Sequence, residues 1–191
     1  MAKTLIATPL NITTADTAVS TVDITSGIDD TYSVYEFHFY NIHASDDNAE
    51  LQFQVNPSDD EVGVGTGEFD TSPIVSTFFS AYNLESGGGT PAVAYHGGHD
   101  IANAAIFQNI HYNLWNDVNE SGMSGSMTLY DPSSTTYVKH FISRVSSDGF
   151  AMEADVYMAG YINDTTDITQ IRFKISAGTI DAGIIKMFGV S

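Results

Sequence analysis

In three separate stretches an apolar side chain recurs at every second residue, and this rhythm limits the fold more than any other feature of the 191-residue chain. Successive side chains of a strand point to opposite faces, so a period of two gathers one apolar set on one side of a sheet. In 32–43, Tyr35, Phe37 and Phe39 share one face, while Val34, Glu36, His38, Tyr40 and Ile42 share the other. Both faces are partly apolar, as expected of an interior strand. In 50–55, Leu51, Phe53 and Val55 point inward and Gln52 and Gln54 outward; in 170–175, Ile171, Phe173 and Ile175 point inward and Arg172 and Lys174 outward. Such segments are half-buried antiparallel strands.

Weaker strands are expected at 3–8, 18–24, 74–82, 106–114, 125–130, 136–145, 152–162 and 183–190, with turn residues such as Ser45-Asp46-Asp47-Asn48 and Ala177-Gly178 between them. The pattern predicts one all-β domain over 1–191, an antiparallel β-sandwich of about ten strands with long loops. No segment carries a strong 3.6-residue stripe, and only 100–107 suggests a helical turn or two. Residues 56–105 hold Pro57, Pro73, Pro91 and glycines 63, 65, 67 and 87–89. They read as a loop-rich insertion around one strand, 74–82, the kind of loop on a rigid scaffold where binding concentrates.

A composition of 42% apolar residues, with 11 Phe and 10 Tyr, supplies a core. The absence of Cys excludes disulfides and thiolate metal sites. Charge is segregated along the chain. After Lys3 there is no Lys or Arg until Lys139, and 4–138 carries 18 carboxylates, whereas 139–191 sets five basic residues against six acidic ones. Such a chain repels phosphate backbones and anionic lipid, so neither nucleic acid nor membrane is an expected partner. It favours divalent cations and saline media. Apolar runs fall short of the roughly 20 residues of a membrane helix. Leu5-Ile6-Ala7, stopped by Pro9, is too short for a secretory leader.

Several motifs invite chemistry. Gly63-Val64-Gly65-Thr66-Gly67 lacks the lysine and spacing of a phosphate loop. His96-Gly97-Gly98-His99-Asp100 puts two imidazoles and a carboxylate within five residues, a partial ligand set for zinc without a clear fourth member. The acidic pairs Asp29-Asp30, Asp46-Asp47 and Asp59-Asp60-Glu61 suit calcium, although the EF-hand register is missing. Trp115 with Tyr112, His111 and Asn113 suits stacking on a sugar ring; core packing is the alternative for Trp115. Ser121-Gly122-Met123-Ser124-Gly125-Ser126 reads as a turn without a paired base, and no Gly-x-Ser-x-Gly elbow exists. The binding candidates are therefore Trp115, Tyr112, His96 and His99, with no catalytic residue and no assigned metal ligand.

Three stretches carry a resemblance. Ser26-Gly27-Ile28-Asp29-Asp30-Thr31-Tyr32 runs into Glu36-Phe37-His38-Phe39-Tyr40-Asn41-Ile42-His43; Leu129-Tyr130-Asp131-Pro132-Ser133-Ser134 continues to Phe141; and Ile171-Arg172-Phe173-Lys174 precedes Gly178-Thr179-Ile180-Asp181-Ala182-Gly183-Ile184-Ile185-Lys186-Met187-Phe188-Gly189. They resemble small jelly-roll virion structural proteins of tailed phages of aquatic bacteria, over about a third of the chain. The resemblance implies a jelly-roll sandwich with no enzymatic activity on the virion, assembled in the host cytoplasm. Its role would be that of a capsid decoration (cement) protein or a tail or fibre component. Its implied partners are a major capsid or tail protein and copies of itself, for example as a trimer, with a host surface glycan as a further ligand. The near-neutral end 139–191, with the apolar strand 183–190, is the part expected to face a neighbour.

Overall fold

The computed structural model describes residues 2–13, 17–60, 72–87, 90–116, 121–149 and 151–191. The glycine motif 63–67, Glu61, Gly88 and Gly89 lie outside these residues. The described residues form thirteen strands and no α-helix: β1 (Lys3–Ile12), β2 (Thr21–Ile24), β3 (Val34–Ala44), β4 (Leu51–Pro57), β5 (Ile74–Leu84), β6 (Ala92–Tyr95), β7 (Ala102–Ala104), β8 (Gln108–Asn109), β9 (Met123–Tyr130), β10 (Lys139–Asp148), β11 (Met152–Ile162), β12 (Ile168–Ile175) and β13 (Ile180–Val190). All pairings are antiparallel. A nine-stranded sheet runs β1-β13-β3-β9-β10-β11-β5-β6, with β7 also on β5, and a four-stranded sheet runs β2-β12-β4-β8.

The fold is all-β and sandwich-like. The two sheets meet through aromatic rings. Phe173 of the small sheet lies 5.3 Å from Phe37 and 5.4 Å from Phe39, and Phe53 lies 5.1 Å from Phe141. These edge-to-face contacts sit inside one continuous core. The alternation read from sequence supplies it: Tyr35, Phe37, Leu51, Phe53, Val55, Ile171 and Phe173 have no solvent exposure.

The departures have local causes. Ile42, grouped above with Val34, Glu36, His38 and Tyr40 on the second face of its strand, is buried with the first set. Asn41 takes a positive φ of 44°, and the register of β3 slips between Phe39 and Ile42, so a bulge turns Ile42 inward. Residues 56–105 hold three short-to-long strands, β5 to β7, rather than one, so the strand total exceeds the expected ten. The helical turn expected at 100–107 is instead β7 followed by bends. Strand 183–190 is no free edge, because β13 is paired by β1 on one side and β3 on the other.

Ser121–Ser126 is not a turn either, since β9 begins at Met123. Gly125 sits mid-strand because its neighbour leaves no room. A Cβ there would lie 2.4 Å from the Arg144 carbonyl oxygen and 2.6 Å from Val145 Cα, at a φ of +155°. Gly125→Ala is expected to cost about 3 kcal/mol in guanidinium unfolding, the upper end of overpacking penalties. Gly98→Ala, with nothing within 4 Å, is the control expected to stay near zero. Equal midpoints for the two variants would disprove the steric account.

Lys139 is a second surprise. It is fully buried, and its Nζ donates to the backbone carbonyls of Asp164, at 3.2 Å, and of Thr166. Burial pulls its pKa down, and the carboxylates of Asp164, Asp167 and Asp131 oppose that shift. One of the five cations of 139–191 is thus a strut for the β11–β12 connection and not part of a docking face.

Candidate functional site

The nine-stranded sheet is too wide for the four-stranded one to cover. Over the inner face of β5 the cover is the segment 96–114. His96 N–H donates to the Phe78 carbonyl at 3.0 Å, and Ile101 N–H donates to Ser76 Oγ at 2.9 Å. Within the segment, Gln108, Ile110 and Leu114 are buried. The same cover explains why Gln54, read as outward-facing, is buried: its amide donates to the Ile106 carbonyl at 2.9 Å.

The residues that make this cover include three of the four binding candidates. His96, His99 and Tyr112 converge, with ring centroids 4.5 Å apart for His96–Tyr112, 5.6 Å for His99–Tyr112 and 6.0 Å for His96–His99. Phe78 underlies all three at 5.1–5.8 Å. His111 joins the stack on Tyr112, 5.4 Å away and within 11° of parallel. Trp115 lies at the far end of the segment, where its Cδ1 borders the Gly149 turn.

Hydrogen bonds fix each ring. Ser80 Oγ lies 2.8 Å from His96 Nε2 and 2.9 Å from the Tyr112 hydroxyl. Asn109 donates to His99 Nδ1 at 2.6 Å, which puts that ring's proton on Nε2. Gln52 ties Asn109, at 2.7 Å, to Glu50, at 3.2 Å. His111 Nε2 lies 2.7 Å from Ser147 Oγ, and its Nδ1 is buried without a hydrogen-bond partner. A proton on Nε2 then leaves only a lone pair unmatched, which costs less than an orphaned N–H.

Burial depresses the His111 pKa to about 3, and the nearby His99 adds to the effect. His96 is lowered by the same two causes in the same order. Neutral imidazoles suit metal ions, but among the described residues no three of His, Asp and Glu converge as a ligand set. The Ser80–His96 pair has nucleophile–base spacing, yet Ser80 has no exposed surface for a substrate to reach. Because the rings spend their faces on one another, the cluster acts as a polar clamp between the loop and the sheet.

One carboxylate of each acidic cluster is held by a hydrogen bond. Asp29 accepts from Thr31 N–H at 2.9 Å and from the Tyr35 hydroxyl at 3.1 Å, and the Thr31 contacts hold its carboxyl below the usual range. Asp47 accepts from Asn116 N–H at 3.1 Å and Asp59 from the Thr166 hydroxyl at 3.3 Å. Sequence reasoning missed a separate cleft of about 510 Å³ at the β9–β10 connection, lined by Tyr130, Asp131, Thr136, Tyr137 and His140. Its only advance signal was the aromatic spacing of Tyr130 and Tyr137 around a Pro-Ser turn.

The fold defines an all-β, sandwich-like protein with an aromatic, histidine-rich loop cover. Comparison with protein-family models, curated proteins and solved structures gives no match to the chain.

Proposed function

We propose that this chain is a non-enzymatic structural protein of a phage particle, a jelly roll that binds the capsid exterior as a decoration protein. The observation that carries the jelly-roll part of the reading is the strand order. Set aside the insertions β5–β7 and β10–β11, and eight strands remain. Numbered along the chain, they fall into sheets 1-8-3-6 and 2-7-4-5. Successive strands change sheet at every step but one. Two interlocked Greek keys produce that alternation, the architecture of viral capsid and lectin domains.

Fold alone does not assign a role. The particle role rests on the resemblance of the quoted stretches, which lie on β3, β9, β12 and β13 of this eight-strand core, on loops beside them and on the start of β10. Charge supports an outward-facing coat: a net formal charge of −18 keeps such a surface hydrated and apart from nucleic acid. A symmetric oligomer is part of the proposal.

The test is localisation. Purified particles are expected to contain the chain, and an electron-microscopy map is expected to place its sandwich outside the shell in symmetric copies. Particles that lack the chain refute the proposal. Density at the tail favours the second reading, a glycan-binding tail or fibre component. That reading has its own support in the Tyr130–Tyr137 cleft, where phenol rings, a carboxylate and hydroxyls stand together as sugar recognition requires. On a glycan array it predicts binding lost in Tyr137→Ala; binding lost instead in Trp115→Ala would move the site to the loop cover.

A further inference from the structure

We infer that the outer face of β10, β11, β5 and β6 is the surface through which two copies of this chain associate. The inference deepens the oligomer part of the reading above by naming the surface. Antiparallel register lays the outward side chains in rows across the four strands. One row is Arg144, Tyr157, Phe79, Tyr95. Phe79 and Tyr157 stack at 4.9 Å and 2° from parallel, and the Arg144 guanidinium lies 5.1 Å above the Tyr157 ring. Ile142 and Ala159 form the next row, and His140 and Tyr161 the one beyond.

Two independent features mark this face. The first is apolar exposure. Among the described residues nine large hydrophobic side chains are exposed, and four of them, Phe79, Val93, Tyr95 and Ile142, lie here, with Tyr130 on the adjoining strand β9. Val93 is 74% exposed, Tyr95 68% and Ile142 52%. Contiguous apolar exposure of this kind marks interaction surfaces.

The second feature is charge. The chain has 24 carboxylates, and those on this face lie at its margins: Asp148, Glu153 and Asp155 at one end, and Asp100, which accepts from the Tyr95 hydroxyl, beside β6. Asp155 is held by Arg144 at 2.8 and 3.0 Å, Glu153 accepts from Ser146 at 2.7 Å, and Asp148 accepts from Gly122 N–H at 2.9 Å. The rows of Ile142 and His140 carry no carboxylate. This decides the occupant. Two copies of a chain of net charge −18 repel each other wherever carboxylates would face carboxylates, and a contact centred on the Ile142 and His140 rows lets them approach without that cost. A basic partner would be drawn to the acidic surfaces instead. A two-fold contact buries the same patch on both copies, and aromatic side chains with Arg are the residues that interfaces enrich.

The test is the association state of the full chain by sedimentation and light scattering, from micromolar to near-millimolar concentration in moderate salt. The wild type is expected to form a dimer or a larger oligomer built on it. Ile142→Glu with Val93→Glu places two carboxylates on exposed positions where they do not disturb folding, which far-ultraviolet dichroism checks. The double variant is expected to weaken association at least about tenfold. Leu5→Glu, on edge strand β1 and 52% exposed, is expected to leave association unchanged. A wild type that stays monomeric throughout overturns the inference, as does an oligomer that the double variant leaves intact. A monomer that still decorates particles overturns this inference and spares the virion reading. A purified chain that dimerises through this face, with particles that lack the chain, does the reverse.

Discussion

Phe173→Ala is expected to destabilise the protein by about 4 kcal/mol, because the ring is fully buried between the sheets. It has no solvent exposure and packs edge-to-face on both Phe37 and Phe39. Removing it leaves a cavity between two rigid sheets that cannot close without shifting whole strands, and it deletes two aromatic pairs worth roughly 0.5–1.5 kcal/mol each. Guanidinium unfolding followed by tryptophan fluorescence and dichroism measures the loss. Phe173→Leu keeps most of the volume and is expected to lose less than half as much. If the two variants unfold at the same midpoint, shape and volume at this position do not hold the sheets together.

The second large effect is a loss of stability in mild acid that originates in one imidazole. The pKa of His111 is about 3 in the folded protein, against 6.5 for an ordinary histidine. The unfolded chain therefore takes up the proton first. The contribution of neutral, buried His111 is fully present above pH 6.5 and fades as the pH falls towards 3. At 1.36 kcal/mol per pKa unit, it amounts to about 3 kcal/mol lost by pH 4. His96, shifted in the same direction, adds to the loss. Carboxylates such as Asp29, held low by hydrogen bonds, act only at more acid pH. His111→Gln isolates the imidazole, since an amide can still bond Ser147 and does not titrate. The variant is expected to lose about 3 kcal/mol less than the wild type between pH 7.5 and pH 4 in urea unfolding. Parallel pH profiles for the two proteins would mean that His111 is protonated in the native state at no cost.

The core was legible because it is written in a period of two. Tyr35, Phe37, Phe39, Leu51, Phe53, Val55, Ile171 and Phe173 are buried as their alternation required. Ile42 escaped because a bulge at Asn41 resets the alternation, and one residue of slip exchanges the faces. Gln54, Lys139 and His111 escaped for a different reason. Each is polar, and each is buried by partners distant in the chain: the Ile106 carbonyl, the carbonyls of Asp164 and Thr166, and Ser147. Of the site candidates, His96 and His99 were conspicuous by their spacing. Their union with Tyr112, His111 and Ser80 depended on a loop folding over a strand and was not.

What the sequence determined alone is the class of fold and the segregation of charge. Alternation acts between neighbours two apart, and carboxylates repel wherever the chain places them. Only the tertiary structure decided which strands pair, which polar groups are enclosed and which apolar ones are left outside. Those outcomes depend on which distant segment arrives to cover a face. The short sheet leaves the inner side of β5 to the loop 96–114, while Phe79 and Tyr95 stay exposed on the outer side.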